Sequence, residues 1–227
     1  RYLYKANLDG SGWQRLSPES QPGTHTYRFS ADRKFSVHTY SSLTKVPTID
    51  LVSLPDHKTI RVLEANEKLA EHVAMNCTAL ARFQQVEIEE GVKLDSWVFE
   101  PAAMEPGKKY PLLIYVYGEP AGTTVVDQWM GSNYEWYQML AQQGYVVMSF
   151  DNRGTPAPRG RDWRKSIYRR IGINASNDQA SAVRKVLADN PQLDPARVGV
   201  WGWSGGGSMT LNAMFRYPDV YSMGISI

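Results

Sequence analysis

Short alternations of apolar and polar residues, separated by turn signals at fairly even spacing, fill roughly the first 75 residues. The alternation predicts strands over residues 2–7, 13–16, 24–30, 35–41, 48–54 and 59–63. Each of these units is too small to bury a core alone, which is typical of a repeat architecture. We therefore predict that residues 1–75 are the C-terminal part of a β-propeller, followed by a connector with helical character over 66–80.

The hydrophobic pattern changes after residue 80. Residues 83–88 and 93–99 alternate with period two around a turn at 90–91, which predicts a solvent-facing antiparallel hairpin. Continuous apolar runs then predict buried strands over 112–117, 145–150, 197–201 and 223–227. Helical patterns lie between them over 133–143, 161–171, 176–189 and 208–217. Strands that alternate with helices predict a mostly parallel sheet with flanking helices.

The apolar run over 197–201 leads directly into Gly202-Trp203-Ser204-Gly205-Gly206. A G-x-S-x-G sequence between a strand and a helix is a nucleophile elbow, in which a sharp turn lifts the serine Oγ above the sheet. The glycines are needed because side chains there would collide with the strand and the helix. Together with the hairpin and the parallel sheet, the elbow predicts an α/β-hydrolase over residues 76–227, with Ser204 as the nucleophile.

A nucleophilic serine needs a histidine base and an acidic residue, which follow the serine in this fold. Only 23 residues follow Ser204, and none is a histidine. The four histidines, His25, His38, His57 and His72, all precede the hydrolase region and are interpreted as surface or structural residues. We therefore expect an incomplete hydrolase domain, with the acid and the base beyond Ile227, and no hydrolysis by residues 1–227 alone.

An oxyanion intermediate needs hydrogen-bond donors, and the N–H of Gly205 is one by its position. A second donor normally comes from the loop after an earlier strand, and Tyr117 follows the run over 112–117. From the residues alone, Tyr117 is equally well a core aromatic. Arg153 in the loop after 145–150 is interpreted as an ion-pair partner, and Asp178 as an N-terminal helix charge or a partner for a nearby arginine.

Composition and charge exclude several other functions. The net charge of +2 is too small to suggest nucleic acid, and the basic cluster over 159–170 is interpreted as a solvated helix face. The single cysteine, Cys77, excludes an internal disulfide and gives no metal site. No stretch has the ~20 apolar residues of a membrane span.

The motifs, taken in order, resemble the prolyl oligopeptidase family of serine peptidases, in particular its bacterial dipeptidyl peptidase IV branch. The matching pieces are residues 27–34, 116–120, 150–155, 169–172 with 178–179, and 202–207. The resemblance implies a β-propeller beside an α/β-hydrolase domain, short peptide substrates and no cofactor. It also implies that Tyr117 and Gly205 form the oxyanion hole around Ser204, with Gly202, Trp203, Gly206, Arg153 and Asp178 in supporting roles. A homodimeric full-length protein fits this resemblance. So does a periplasmic or secreted location, and a cytoplasmic location stays open.

One departure from that family leaves the substrate open. The mammalian-type enzyme has a tyrosine directly after the serine, where it lines the proline pocket, whereas this chain has Gly205. Two alternatives to a peptidase therefore stay open: an esterase or acyl hydrolase on the same fold, and a catalytically inactive relative.

Overall fold

The N-terminal alternation forms an antiparallel meander in the computed structural model, which describes all of residues 1–227. Two short paired strands come first, β1 (Tyr4–Lys5) and β2 (Gln14–Arg15). A four-stranded sheet follows in the order β3 (Thr24–Phe29), β4 (Phe35–Ser42), β5 (Lys45–Ser53) and β6 (Thr59–Glu64). Helix α1 (Glu67–Asn76) then occupies the predicted connector. Every predicted strand of this region is present, and the first two are shorter than the pattern suggested.

The second region consists of six strands and four helices. The elements are, in chain order, β7 (Leu80–Glu89), β8 (Val92–Glu100), β9 (Tyr110–Tyr115), α2 (Ser132–Gln142), β10 (Val146–Asp151), α3 (Gly160–Lys165), α4 (Asn174–Asp189), β11 (Leu193–Gly202), α5 (Gly205–Arg216) and β12 (Met223–Ser226). The strands form one sheet in the order β12-β11-β9-β10-β8-β7. The α/β-hydrolase prediction is therefore confirmed. None of the helices combines the length and the apolar character needed to cross a membrane.

The sheet is parallel from β9 to β12, so that the carboxyl ends of β9, β10 and β11 lie at one edge. Val200 of β11 is paired with Ile114 of β9, which brings the loops after these two strands together. The apolar core packs α4 and α5 against the sheet through side chains such as Val183 and Met209. This arrangement is the reason that residues far apart in sequence meet around Ser204.

Two predictions about the second region are wrong. The hairpin was expected to face solvent, but β8 pairs with β10 as well as with β7, and Trp97, Val98 and Phe99 are buried. The helix expected over 161–171 ends at Lys165, because the chain then turns through Arg169 and Gly172, both with positive φ.

The chain divides into two units. The first contains Arg1–Cys77 and also Val126–Tyr134, and the second contains Thr78–Val125 and Glu135–Ile227. Within the first unit, the segment Val126–Tyr134 is held to the four-stranded sheet, because the Asp127 carboxylate accepts a hydrogen bond from the N–H of Leu43 at 2.8 Å. The assignment of 1–75 and 76–227 to a propeller and a hydrolase domain, with those bounds, stays a prediction.

Candidate active site

Ser204 lies at a sharp turn between a strand and a helix. Strand β11 ends at Gly202, helix α5 begins at Gly205, and Ser204 between them has φ 56° and ψ −115°. This is a sparsely populated backbone conformation for a residue with a side chain, and it costs about 1–3 kcal/mol. Ser204 is exposed, as is Trp203 before it. The strained turn therefore presents the Oγ at the surface, at the carboxyl edge of the sheet.

The glycines around Ser204 allow the backbone of α5 to lie directly on the end of β9. A methyl group added at Gly202 would lie 2.4 Å from the carbonyl oxygens of both Gly206 and Val116. One added at Gly206 would lie 2.2 Å from the oxygen of Val116. Both distances are far below contact distance and involve backbone atoms, so that no side chain fits at either position. The predicted supporting role of these two glycines thus has a steric basis.

The two proposed oxyanion donors belong to neighbouring backbone segments. Gly205 is the first residue of α5, so its N–H has no acceptor within the helix. Tyr117 follows β9, and its Cα would be 3.3 Å from a methyl group at Gly206. The N–H of Val116 donates to the carbonyl oxygen of Trp201 at 2.9 Å and so fixes the start of this loop beside β11. The backbone of Tyr117 thus lies beside the elbow, and its part in an oxyanion hole stays a prediction.

Glu119 also belongs to this site, although no sequence motif assigned it a role. Its half-buried side chain lies against Gly205, where an added methyl group would be 2.6 Å from both Cδ and Oε2. Any larger residue at position 205 would have to displace this carboxylate. The glycine after the serine, noted as a departure from the family, was the one signal that pointed to unoccupied space here.

The loop that carries Tyr117 and Glu119 is tied to the next strand by two amides. Asn152 donates through Nδ2 to the carbonyl oxygen of Gly118 at 3.1 Å. Its Oδ1 accepts from Nε2 of Gln179 in α4 at 3.0 Å, and Gln179 also donates to the oxygen of Phe150. Both amides are buried. They hold the loop after β9, the end of β10 and helix α4 in one arrangement, a role that no sequence motif indicated.

Arg153 and Asp178 form an ion pair behind this loop. Asp178 is fully buried in α4, and it accepts from the backbone N–H of Arg153 at 3.0 Å and from Nη2 at 2.7 Å. Arg153 also contacts Glu89 at 2.6 Å. The hydrogen bonds with Asp178, more than the opposing burial, raise the pKa of Arg153. This geometry supports a positioning role for the pair rather than contact with a substrate.

Asp151, the last residue of β10, is a buried carboxylate of the same edge. It accepts hydrogen bonds from the N–H groups of Thr124 and Val125 at 2.8 and 3.2 Å. Burial raises its pKa above the ordinary value in spite of these bonds. Since its oxygens are occupied by the loop after β9, Asp151 anchors that loop.

The histidines all lie in the first unit, and the unit that carries Ser204 has none. His25 and His38 are buried and linked, with 2.8 Å between His25 Nδ1 and His38 Nε2. The outer nitrogens of this pair contact the oxygen of Gln21 and Oδ1 of Asp50, both at 2.8 Å. His57 contacts the hydroxyl of Tyr27, and His72 is exposed on α1. These contacts agree with structural roles for His25, His38 and His57.

A cavity of about 470 Å³ lies at the opposite edge of the sheet. Val146 and Leu193, at the starts of β10 and β11, are among its lining residues. Catalytic groups of open α/β sheets lie at the carboxyl ends of the strands, so this cavity is separate from the site around Ser204. No group of three or more histidine, cysteine, aspartate or glutamate residues within residues 1–227 could hold a metal ion.

Comparison with known proteins agrees with this architecture. Residues 132–227 match the prolyl oligopeptidase family. The chain is 34% identical over 216 residues to a protein of Emericella nidulans named "Probable dipeptidyl-aminopeptidase B", covering 94% of this chain and 23% of that protein. It is 28% identical over 228 residues to dipeptidyl peptidase 4 of Trichophyton tonsurans, covering 100% of this chain and 29% of that protein.

Solved structures give the same result for the fold. Porphyromonas gingivalis dipeptidyl peptidase 4 superimposes with a TM-score of 0.90 and 31% identity, over 99% of this chain and 31% of that chain. A Bacteroides ovatus protein described as a dipeptidyl aminopeptidase IV by similarity superimposes with a TM-score of 0.82 and 28% identity, over 98% of this chain and 31% of that chain. The chain thus spans about a quarter of the length of the curated relatives that it matches. By this family match and by the fold that it shares with these peptidases, the chain belongs to the prolyl oligopeptidase family.

Proposed function

We propose that the protein is a serine-type peptidase that releases dipeptides from the N-termini of short peptides through an acyl-enzyme on Ser204. The observation that carries the proposal is the strained backbone of Ser204 between β11 and α5, with φ 56°. Such strain is retained where the surrounding structure requires it, and it exposes a hydroxyl that has no structural use there. The dipeptidyl peptidase names of the relatives supply the class of substrate.

The reaction assigns a role to each group around the elbow. Ser204 Oγ attacks the scissile carbonyl carbon, its proton passes to a base, and the peptide bond breaks as the amine leaves with a proton. The N–H of Gly205 and the hydroxyl of Tyr117 donate to the oxyanion of the tetrahedral intermediate. Water then hydrolyses the acyl-enzyme. We assign no general base within residues 78–227, which include no histidine.

The remaining predicted site residues act through these groups. Gly202 and Gly206 permit the close backbone approach, and Trp203 precedes the nucleophile at the surface, where the residue is 63% exposed. Arg153 and Asp178 hold the loop after β10. The chemistry needs no cofactor, because nucleophile, base and oxyanion donors are all protein groups.

The test is hydrolysis of dipeptidyl anilides by the full-length protein and its variants. Ser204→Ala should lower kcat by about 10⁶-fold, because the covalent pathway is lost. Tyr117→Phe removes only one hydroxyl and should lower kcat by about 10²- to 10³-fold with little change in KM. Turnover that Ser204→Ala leaves intact contradicts the proposal. Ser204-dependent turnover of short acyl esters without turnover of anilides identifies an esterase instead.

A further inference from the structure

The carboxylate of Glu119 lies beside the backbone of the residue that follows the nucleophile. A methyl carbon added at Gly205 would lie 2.6 Å from Cδ of Glu119, and that carbon is one C–C bond from the Gly205 Cα. The Cδ of Glu119 therefore lies at most about 4 Å from the Gly205 Cα. Ser204 is the adjacent residue, so the carboxylate is within a few ångströms of the acyl group that Ser204 would carry. Glu119 is therefore close enough to contact a bound substrate directly.

Residues 1–227 provide no counterion for this carboxylate. Among residues 1–227 it takes part in no ion pair and in no side-chain hydrogen bond, although the side chain is half-buried. It also leaves the N–H of Gly205 unbonded, so the proposed oxyanion donor stays available. A half-buried charge without a partner is unfavourable unless a ligand supplies one. The positive end of α5, which begins at Gly205, reduces this cost without removing it.

Glu119 and Gly205 are sterically dependent on each other. A side chain at position 205 and the carboxylate of Glu119 would compete for the same space, since the added methyl group meets Cδ, Oε1 and Oε2 within 3.1 Å. The absence of a side chain after the nucleophile thus leaves room for the carboxylate of Glu119 beside the site. A cation brought by the substrate would be drawn to this position, and an anion would be repelled.

We propose that Glu119 determines specificity, and that it selects substrates in which the residue contributing the scissile carbonyl has a cationic side chain. The proposal rests on the proposed peptidase function and adds the substrate class to it. A lysine or arginine side chain at this position pairs with the carboxylate. That pair also neutralises a negative charge that would otherwise oppose the developing oxyanion at Gly205.

The experiment compares kcat/KM of the full-length protein on four para-nitroanilides: alanyl-lysine, alanyl-arginine, alanyl-proline and alanyl-alanine. Glu119→Gln keeps the shape and removes the charge, and it should lower the ratio of basic to proline kcat/KM by about tenfold or more. Glu90→Gln, which removes an exposed carboxylate in the β7–β8 turn, is the matched control and should leave the ratio unchanged. The wild-type ratio should also fall as salt rises, whereas the ratio of Glu119→Gln should not.

The outcomes separate this proposal from the function on which it rests. One outcome overturns the assignment of Glu119 alone. In it, the wild type hydrolyses the proline substrate in a Ser204-dependent way, and Glu119→Gln leaves the ratio of basic to proline kcat/KM unchanged. An equal loss on all four substrates also overturns it, because a merely structural carboxylate would act in that way. A wild type that hydrolyses none of the four overturns both proposals.

Discussion

At the residue scale, the elbow depends on the absence of single methyl groups. Gly202→Ala should destabilise the fold by about 1–3 kcal/mol, because the new Cβ meets two backbone oxygens at 2.4 Å and neither can move freely. The displacement of Ser204 that follows should reduce hydrolysis by about 10²-fold or more. Thermal unfolding and anilide turnover measure the two effects.

The chain offers a matched control in the same strand. A methyl group at Gly199 of β11 meets only the ends of two flexible side chains, Met223 Cε at 2.9 Å and Leu113 Cδ1 at 3.1 Å. Gly199→Ala should therefore cost less than Gly202→Ala and leave turnover close to that of the wild type. Equal effects of the two substitutions would show that contact with backbone is not what makes Gly202 necessary.

At the scale of the elements, the ion pair of Arg153 and Asp178 joins the loop after β10 to α4. Asp178→Asn should destabilise the fold by roughly 2–4 kcal/mol, because Asp178 is fully buried and its loss leaves the Arg153 guanidinium without its main partner. The exposed pair of Lys185 and Asp189 in α4 is the control, since Asp189→Asn should cost no more than about 1 kcal/mol. Urea unfolding curves of both variants distinguish a buried structural pair from a surface one.

Elements whose pattern is local were predictable, and those that depend on distant partners were not. The apolar runs indicated β9, β10 and β11, because a strand buried on both faces is apolar throughout its length. The alternation in 93–99 indicated a half-exposed strand, but β8 gains β10 as a second neighbour and loses its exposure. Nothing local indicated the left-handed Arg169 that follows the early end of α3.

The same distinction holds for the site. Ser204 and its glycines were predictable because the elbow motif is contiguous and its turn has strict steric demands. Glu119 was not, because its position against Gly205 results from the pairing of β9 with β11. The amides of Asn152 and Gln179 likewise act only once the ends of β9 and β10 and helix α4 have been brought together.

At the scale of the whole molecule, the buried imidazole pair should control how stability depends on mild acid. Burial is the main cause that lowers the pKa of His25 and of His38, against the raising effect of Asp50 on His38. The geometry also limits how many protons the pair can bind. If both rings were protonated, the N–H groups at His25 Nδ1 and His38 Nε2 would face each other across 2.8 Å. The folded pair thus binds at most one extra proton, whereas the unfolded chain binds two.

This difference in proton uptake fixes the sign of the pH dependence. Because the folded pKa values lie below the ordinary 6.5, the stabilisation is fully present above that pH and is lost as pH falls below it. Each proton taken up on unfolding lowers the free energy of unfolding by about 1.4 kcal/mol per pH unit. Four carboxylates with lowered pKa lose their contribution to stability only below pH 3.8, namely Asp9, Asp32, Asp194 and Asp219.

We therefore expect the free energy of unfolding to fall between pH 6.5 and 5, and the slope to become shallower in His25→Gln and His38→Gln. Asp151, whose pKa burial raises, acts with the opposite sign, but it is common to all three proteins and cancels in the comparison. Denaturant unfolding at closely spaced pH values measures these slopes. A wild-type slope in both buried variants would mean that the two imidazoles are protonated in the folded protein as readily as in the unfolded chain.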